Sequence, residues 1–239
     1  MLHFTSSLPL ALASLITGNF TVATASTPDL RKKAYRLRYQ VYCRELGFLP
    51  PENYPDGCEQ DQFDDRSWHF CTLEANGSLA ATVRLVPRSS AGGWPMDSYC
   101  PDLGAQAAQQ RHRAGEISRL VLAARYRRCG SGRKAHHRPE VLLGLYRAMY
   151  QEAKRQGLTH LYAVMEEPLA RLLRRLHFPF QPAGPEIDYF GPVRPYVADL
   201  ARLERDAHRN CPALFWVFME GLDASCRPAF GRAPALAAA

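Results

Sequence analysis

The order of strand-like and helix-like segments constrains the fold of this 239-residue chain more than any other feature. Two strand patterns flank Asn76-Gly77, a dipeptide typical of tight hairpin turns, in the segment WHFCTLEANGSLAATVRLVP. A third, GEISRLVLAARYR, contains a continuous apolar run typical of a central strand. A helix pattern from Pro139, the strand pattern LTHLYAVM, a short helix PLARLLRRL and strand patterns near 187–190 and 193–199 follow. This order predicts an α/β fold, a mixed central sheet flanked by helices on both faces.

Helix patterns precede and follow these segments. Thr27 and Pro28 suit the N-cap and first position of a helix that spans about 28–46. Gly47 suits the left-handed stop at the C-terminal end of this helix. A last helix is predicted near 200–221.

The two ends of the chain differ in composition from the middle. Residues 1–18 contain the run LPLALASLIT and are predicted to form an apolar helix or extension. An export signal is the less favoured alternative, because no Lys or Arg precedes Arg31. The run is also shorter than the ~20 residues that cross a bilayer, so no integral membrane segment is expected. Residues 222–239, which end in GRAPALAAA, are predicted to be a flexible tail, which leaves 19–221 as a single domain.

The seven cysteines show neither a CxxC pair nor the spacing of metal ligands. Their odd number and scatter favour a reducing compartment over a disulfide framework. We therefore expect a cytoplasmic protein without a metal site.

Charge is distributed unevenly along the chain. The net charge is +7, yet four carboxylates lie within the seven positions from Glu59 to Asp65. Six cationic residues lie within the fourteen positions from Arg125 to Arg138. Each cluster alone is consistent with a solvated surface, and a basic patch also suits nucleic acid, a membrane surface or an acidic protein. No nucleic-acid partner is expected, because the basic loop lacks the interleaved aromatic residues used for base stacking.

The strand EISRL, the basic loop and the helix at Pro139 form an arrangement suited to an anionic carrier. The N-terminus of a helix presents unpaired N–H groups and partial positive charge to a phosphate or pyrophosphate. Arg127, Gly130 and Gly132 fit the pattern Arg-x-x-Gly-x-Gly, with which GNAT acyltransferases hold a pantetheine carrier. Six further residues separate Gly132 from Pro139.

Four motifs then carry a more specific resemblance. RYQVYCRELGF, EQDQFDD, TVRLVP and EISRL occur in the order and at the approximate spacing found in the autoinducer (acyl-homoserine-lactone) synthases. The longer runs AYRLRYQVYCRELGF and VLLGLYRAMYQEAKRQGLTHLYAVMEEPLARLL resemble more closely the acyltransferases associated with PEP-CTERM/exosortase systems, akin to N-acyl amino acid synthases. The resemblance covers roughly Asn19 to Asp199 and implies a GNAT-like fold.

The resemblance also implies a set of site residues. The arginine and the aromatic positions of the first helix correspond to Arg38, Tyr42 and Phe48. Autoinducer synthases usually carry Trp in place of Phe48. The charged positions that form an ion-paired network in the family correspond to Glu59, Asp61, Asp64, Arg84, Glu116 and Arg119.

The reaction implied is transfer of a fatty acyl chain from acyl carrier protein or acyl-CoA to the amine of a small molecule, with an amino acid expected. An α-amino group has a pKa of about 8 and must lose a proton before it attacks a thioester. A neighbouring carboxylate can hold the ammonium and accept that proton, and Glu116 is the favoured general base. The carboxylates of EQDQFDD are either catalytic, like Glu116, or clamp the loop by pairing with Arg38, Arg84 and Arg119.

Two alternatives remain open at this point. One is a homoserine-lactone synthase that uses S-adenosylmethionine. The other is a non-catalytic binding or regulatory module, which would not require the whole charged set. Under the leading hypothesis no cofactor is tightly bound, the acyl thioester is a substrate, and the basic loop meets an acidic acyl carrier protein.

Overall fold

The computed structural model describes residues 20–88, 92–100, 103, 111–127 and 139–230. The apolar segment expected at 1–18, both glycines of the pantetheine-binding pattern (Gly130 and Gly132) and residues 231–239 of the expected tail lie outside the described residues.

A mixed sheet forms the centre of the described structure. Its strands are β1 (Phe20–Thr24), β2 (Trp68–Glu74), β3 (Leu79–Pro87), β4 (Ala114–Leu122), β5 (His160–Met165), β6 (Gln181–Pro182), β7 (Ile187–Asp188) and β8 (Pro192–Asp199). The order across the sheet is β1-β2-β3-β4-β5-β8-β6, and β7 pairs with β8. Among the strand pairs of the described residues, β4 and β5 run parallel and the others antiparallel. The hairpin at Asn76-Gly77 joins β2 to β3, as the sequence predicts.

Helices cover both faces of this sheet. They are α1 (Pro28–Tyr39), α2 (Pro139–Arg155), α3 (Glu167–Arg175), α4 (Leu200–Asn210) and α5 (Pro212–Met219). One face packs on α2, α4 and α5, and Phe70 of β2 points into this larger core. The next residue along β2, Cys71, packs on the opposite face beside Ala34 of α1. The predicted α/β fold with helices on both faces is confirmed.

The first and last helices differ from their predicted forms. The first helix begins as expected, because the Thr27 side chain accepts a hydrogen bond from the Leu30 amide at 3.3 Å. Its last turn widens into a π-helix over Gln40–Glu45. The predicted helix at 200–221 is two helices, because Pro212 cannot donate the backbone hydrogen bond that a continuous helix requires.

Leu222, Cys226 and Phe230 of the expected tail pack against the larger core. Leu222 is 1% exposed, and the Phe230 ring stacks on His208 with centroids 5.1 Å apart. The part of the expected tail that the structure describes therefore contributes to the fold.

The two central strands separate partway along their length. β4 and β5 pair from Ala114 and His160 as far as Ile117 and Ala163. Beyond Ile117 the register of β4 against β3 shifts, and Arg119 adopts a left-handed conformation with φ of 54°, which non-glycine residues seldom adopt. Because of this bulge, β4 stays paired with β3 but separates from β5, so a cleft opens in the sheet.

Candidate active site

Six predicted charged side chains meet in a closed ring, which we call the charged ring. In the order in which they contact one another, they are Arg38, Asp64, Arg84, Asp61, Arg119 and Glu59. Each guanidinium group contacts two carboxylates of the ring, and each carboxylate contacts two guanidinium groups. The members come from α1, the loop before β2, β3 and β4, so the ring ties the acidic loop to the helix and the sheet.

Asp64 is the most completely bound carboxylate of the ring. Arg38 donates to both of its oxygens, at 2.7 Å and 2.9 Å, and Arg84 Nη1 donates to Oδ1 at 2.8 Å. The Asp61 amide donates to Oδ2 at 2.7 Å. Burial alone would raise the pKa of Asp64, but the hydrogen bonds and charge of Arg38, with Arg84, hold that pKa well below its usual range. Asp64 is therefore a fixed anion.

The other two carboxylates complete the ring around Arg119. Its Nε donates to Glu59 Oε1 at 3.2 Å, and its Nη2 donates to Asp61 Oδ2 at 3.1 Å. Arg38 Nε also donates to Glu59, and Arg84 Nη1 donates to Asp61 at 2.6 Å. Three cations balance three anions. This geometry supports the clamping role for the carboxylates of EQDQFDD over a role in proton transfer.

Glu116 lies outside the ring and in a different environment. Its side chain, on β4, is 1% exposed, and its Oε2 accepts a hydrogen bond of 3.0 Å from the Met96 amide. Burial raises the pKa of Glu116 to about 8, although the Met96 amide and the charges of Arg84 and Arg119 oppose the shift. A carboxyl group with this pKa can exchange a proton with an amine near neutral pH.

The raised pKa of Glu116 predicts how stability depends on pH. Between the ordinary value of 4.5 and about 8, the folded protein holds a proton that the unfolded chain has lost. The free energy of unfolding therefore falls as pH rises through this window. Glu116→Gln cannot ionise, so its stability relative to the native protein should increase from pH ~5 to pH ~8. Urea unfolding at both pH values measures this difference, and an equal difference at the two would contradict the assignment.

Several aromatic rings lie near the charged ring. Tyr99 and Tyr189 stack with centroids 3.9 Å apart, and Phe48 stacks on Phe190 at 4.9 Å. Tyr42 lies beside Phe48 at 6.3 Å, and the Arg119 guanidinium is 5.6 Å from the Tyr42 ring. Of the two predicted aromatic residues, Tyr42 thus lies against Arg119 of the charged ring, and Phe48 lies against Tyr42.

An apolar cavity of about 470 Å³ occupies the cleft between β4 and β5. Its lining includes Phe48, Ser118 and Arg119, together with side chains from α2, α4 and α5. Arg127 of the predicted carrier-binding pattern also lines this cavity and forms an ion pair with Glu45.

Sequence reasoning missed several residues of the site. His69 Nε2 lies 3.2 Å from the Asp64 carbonyl oxygen, and burial lowers the pKa of this imidazole to about 4. Ser118 Oγ accepts a hydrogen bond of 3.1 Å from Arg84 Nε. Side chains alternate between the two faces of a strand, so His69 on β2 and Ser118 on β4 lie on the face that carries the charged ring. This alternation is the sequence signal by which they could have been found. Tyr99 and Tyr189 lie in irregular segments that carry no such signal.

Within the ranges that the structure describes, no helix is long and apolar enough to cross a membrane. The same ranges contain no group of three or more His, Cys, Asp or Glu side chains arranged to hold a metal ion.

Comparison with known proteins agrees with this fold. Residues 37–134 match the family described as "Acetyltransferase (GNAT) domain". An acyl-homoserine-lactone synthase of Aeromonas hydrophila is 31% identical over 158 residues, which cover 65% of this chain and 72% of the relative. TofI, solved in a ternary complex with an inhibitor and MTA, superposes with a TM-score of 0.60 at 20% identity, over 87% of this chain and 100% of that one. FeeM, an N-acyl amino acid synthase from uncultured soil microbes, gives 0.58 at 15% identity, over 78% of this chain and 94% of that one.

The structure itself shows a charged ring, a buried glutamate and a cleft between two parallel strands. The comparisons add the family to which a chain with this fold is similar. The chain therefore belongs to the acyl-homoserine-lactone synthase family of GNAT acyltransferases and is an N-acyltransferase.

Proposed function

We propose that this protein transfers a fatty acyl chain from a thioester of acyl carrier protein or coenzyme A to the amino group of an amino acid. The observation that carries the proposal is the position of the apolar cavity. It opens in the cleft beside Ser118 and Arg119, two and three residues along β4 from the buried Glu116. An acyl chain in the cavity would therefore present its thioester carbonyl near a carboxyl group able to accept a proton.

Glu116 is the proposed general base. The lone pair of the amine attacks the thioester carbonyl carbon, a C–N bond forms, and the carboxylate takes the proton that the nitrogen loses. The pKa of about 8 at Glu116 matches that of about 8 for a free α-amino group. The C–S bond then breaks and its electron pair leaves with sulfur as a thiolate, which needs little help from an acid because the pKa of a thiol is about 8.5.

The separation of the strands also supports a site for the developing oxyanion. Pairing between β4 and β5 ends at Ile117 and Ala163. Beyond this point β4 remains paired with β3 alone, so backbone amides on its β5 side would face the cleft. Pre-positioned N–H donors of this kind stabilise the negative charge that builds up on the carbonyl oxygen.

The donor is proposed to approach from the side of Arg127, at the edge of the cavity. The chain carries a net charge of +7, and acyl carrier protein is acidic. Complementary charge raises the rate of encounter between such partners. The resemblance to exosortase-associated acyltransferases supports an N-acyl amino acid as the product.

A second candidate reaction is synthesis of an acyl-homoserine lactone from S-adenosylmethionine. The 31% identity with an acyl-homoserine-lactone synthase favours it. Phe48, where autoinducer synthases usually carry Trp, lines the cavity and supports an acceptor other than S-adenosylmethionine. The two reactions differ in their products, since only the second yields a lactone.

Mass spectrometry of organic extracts tests the proposal. Cells that express the full chain should accumulate N-acylated amino acids that are absent from an empty-vector control and strongly reduced with Glu116→Gln. The masses of these products identify both the amino acid acceptor and the length of the acyl chain. Acyl-homoserine lactones in place of acyl amino acids would establish the second candidate, and the absence of any new acylated species would contradict both.

A further inference from the structure

The inner end of the apolar cavity is closed by four side chains, which we call the septum. They are Tyr150, Phe178, Leu203 and Phe218. All four are buried, and all four also line a second cavity of about 10 Å³. Beyond the septum this second cavity is bounded by Glu204, Ala207, Leu214, Phe215 and Met219. The septum is therefore a wall one side chain thick between a large cavity and a very small one.

Ring contacts hold the septum together. The Phe218 ring lies 5.3 Å from Phe178 and 5.9 Å from Tyr150, measured between centroids. The Tyr150 hydroxyl donates a hydrogen bond of 2.7 Å to Glu204, whose same oxygen lies 2.7 Å from Lys154 Nζ. Since the phenol is anchored on the far side of the wall, its ring is fixed across the end of the large cavity.

We propose that the septum sets the maximum length of the acyl chain and that Phe218 is the residue that excludes longer chains. This inference rests on the proposed acyl-transfer function. A methyl end that reaches the septum can advance only by displacing a packed ring. The cavity behind it is about 10 Å³, close to the smallest space that holds one water molecule, so it does not accept further methylene groups.

Affinity should therefore depend on chain length in two regimes. Each methylene buried in an apolar cavity strengthens binding roughly four-fold. This gain should continue until the chain meets the septum and then stop or reverse. Phe218→Ala joins the two cavities and adds the space of the ring, so the limit should move to chains longer by at least two carbons. For those longer chains the gain in affinity is roughly sixteen-fold.

The test measures binding and products separately. Straight-chain fatty acids of graded length displace a fluorescent fatty acid from the purified full chain, and mass spectrometry records the acyl lengths of the products formed. Phe218→Leu, which retains an apolar side chain, is the second variant in case Phe218→Ala does not fold. A longer limit in either variant supports the septum, and the native limit in a folded Phe218 variant overturns it.

Phe215→Ala is the matched control. Phe215 lies on the same helix, is buried to a similar degree and lines only the second cavity. Its truncation removes the same ring without opening the septum, so the native length limit should remain. An equal shift in Phe215→Ala and Phe218→Ala would overturn the specific role of Phe218. A shifted limit for fatty-acid binding without any acyl transfer would contradict the proposed function and leave the septum supported.

Discussion

Asp64→Ala is expected to lower the free energy of unfolding by about 3–5 kcal/mol, because removal of one partner from a buried ion pair leaves uncompensated charge. Asp64 is fully buried and is hydrogen-bonded to both Arg38 and Arg84. Both guanidinium groups are themselves no more than 1% exposed, so water cannot replace the lost carboxylate. Urea unfolding of the native and variant proteins at neutral pH measures the change.

An exposed ion pair provides the control for this experiment. Asp206 lies 3.8 Å from Arg202, one helical turn away on α4, and both side chains are more than a third exposed. Asp206→Ala should change stability by less than about 0.5 kcal/mol. Equal effects of the two substitutions would show that the charged ring does not clamp the acidic loop.

Glu116→Gln is expected to lower kcat/KM for the amine acceptor by about 10²–10⁴-fold, the usual contribution of a general base. The amide retains the shape of the side chain and can still accept the hydrogen bond from the Met96 amide. The fold should therefore persist while proton transfer is lost. Steady-state kinetics with a saturating acyl thioester and a varied amino acid measure the effect.

Two further readouts separate this role from a structural one. The native rate should rise with pH up to about 8, where Glu116 loses its proton. Glu152→Gln, on α2 and paired with Arg155, removes a carboxylate elsewhere on the fold and should leave the rate unchanged. A Glu116→Gln enzyme with native kcat/KM and a native pH profile would remove Glu116 from the mechanism.

The sheet and most of its helices could be predicted from local patterns. The Asn-Gly turn, the apolar runs and the Thr27-Pro28 helix start depend on residues close in sequence. The boundary between α4 and α5 also had a local signal, because Pro212 interrupts the helix. The apolar pattern nevertheless continues across this proline, so it predicts one helix. The π-helical turn at Gln40–Glu45 had no evident sequence signal. It differs from an α-helix only in the spacing of its backbone hydrogen bonds, and the segment is otherwise helical.

The residues of the charged ring and Glu116 could be predicted, but which of them pair with one another could not. The motifs named Glu59, Asp61, Asp64 and Glu116 together, as carboxylates of one network. Which of them are paired depends on the positions of three arginines brought from α1, β3 and β4, and on the burial of Glu116 behind Met96. Such contacts link residues up to 60 positions apart, beyond the reach of any local pattern.

The apolar cavity is likewise a product of tertiary structure. It exists because β4 follows β3 through the bulge at Arg119 while β5 turns away. The aromatic pair Tyr99 and Tyr189 joins a loop before β4 to the turn before β8. Neither feature follows from the spacing of residues within one segment.

The measurement that tests the central claim most directly is the stoichiometry of the reaction with purified protein. An acyl thioester is mixed with single amino acids, and released thiol and N-acyl product are quantified together. The account predicts one N-acyl amino acid for each thiol released, for at least one amino acid, with both signals lost in Glu116→Gln. Thiol release without an N-acyl product, or equal rates for the native protein and Glu116→Gln, would contradict acyl transfer to an amine at Glu116.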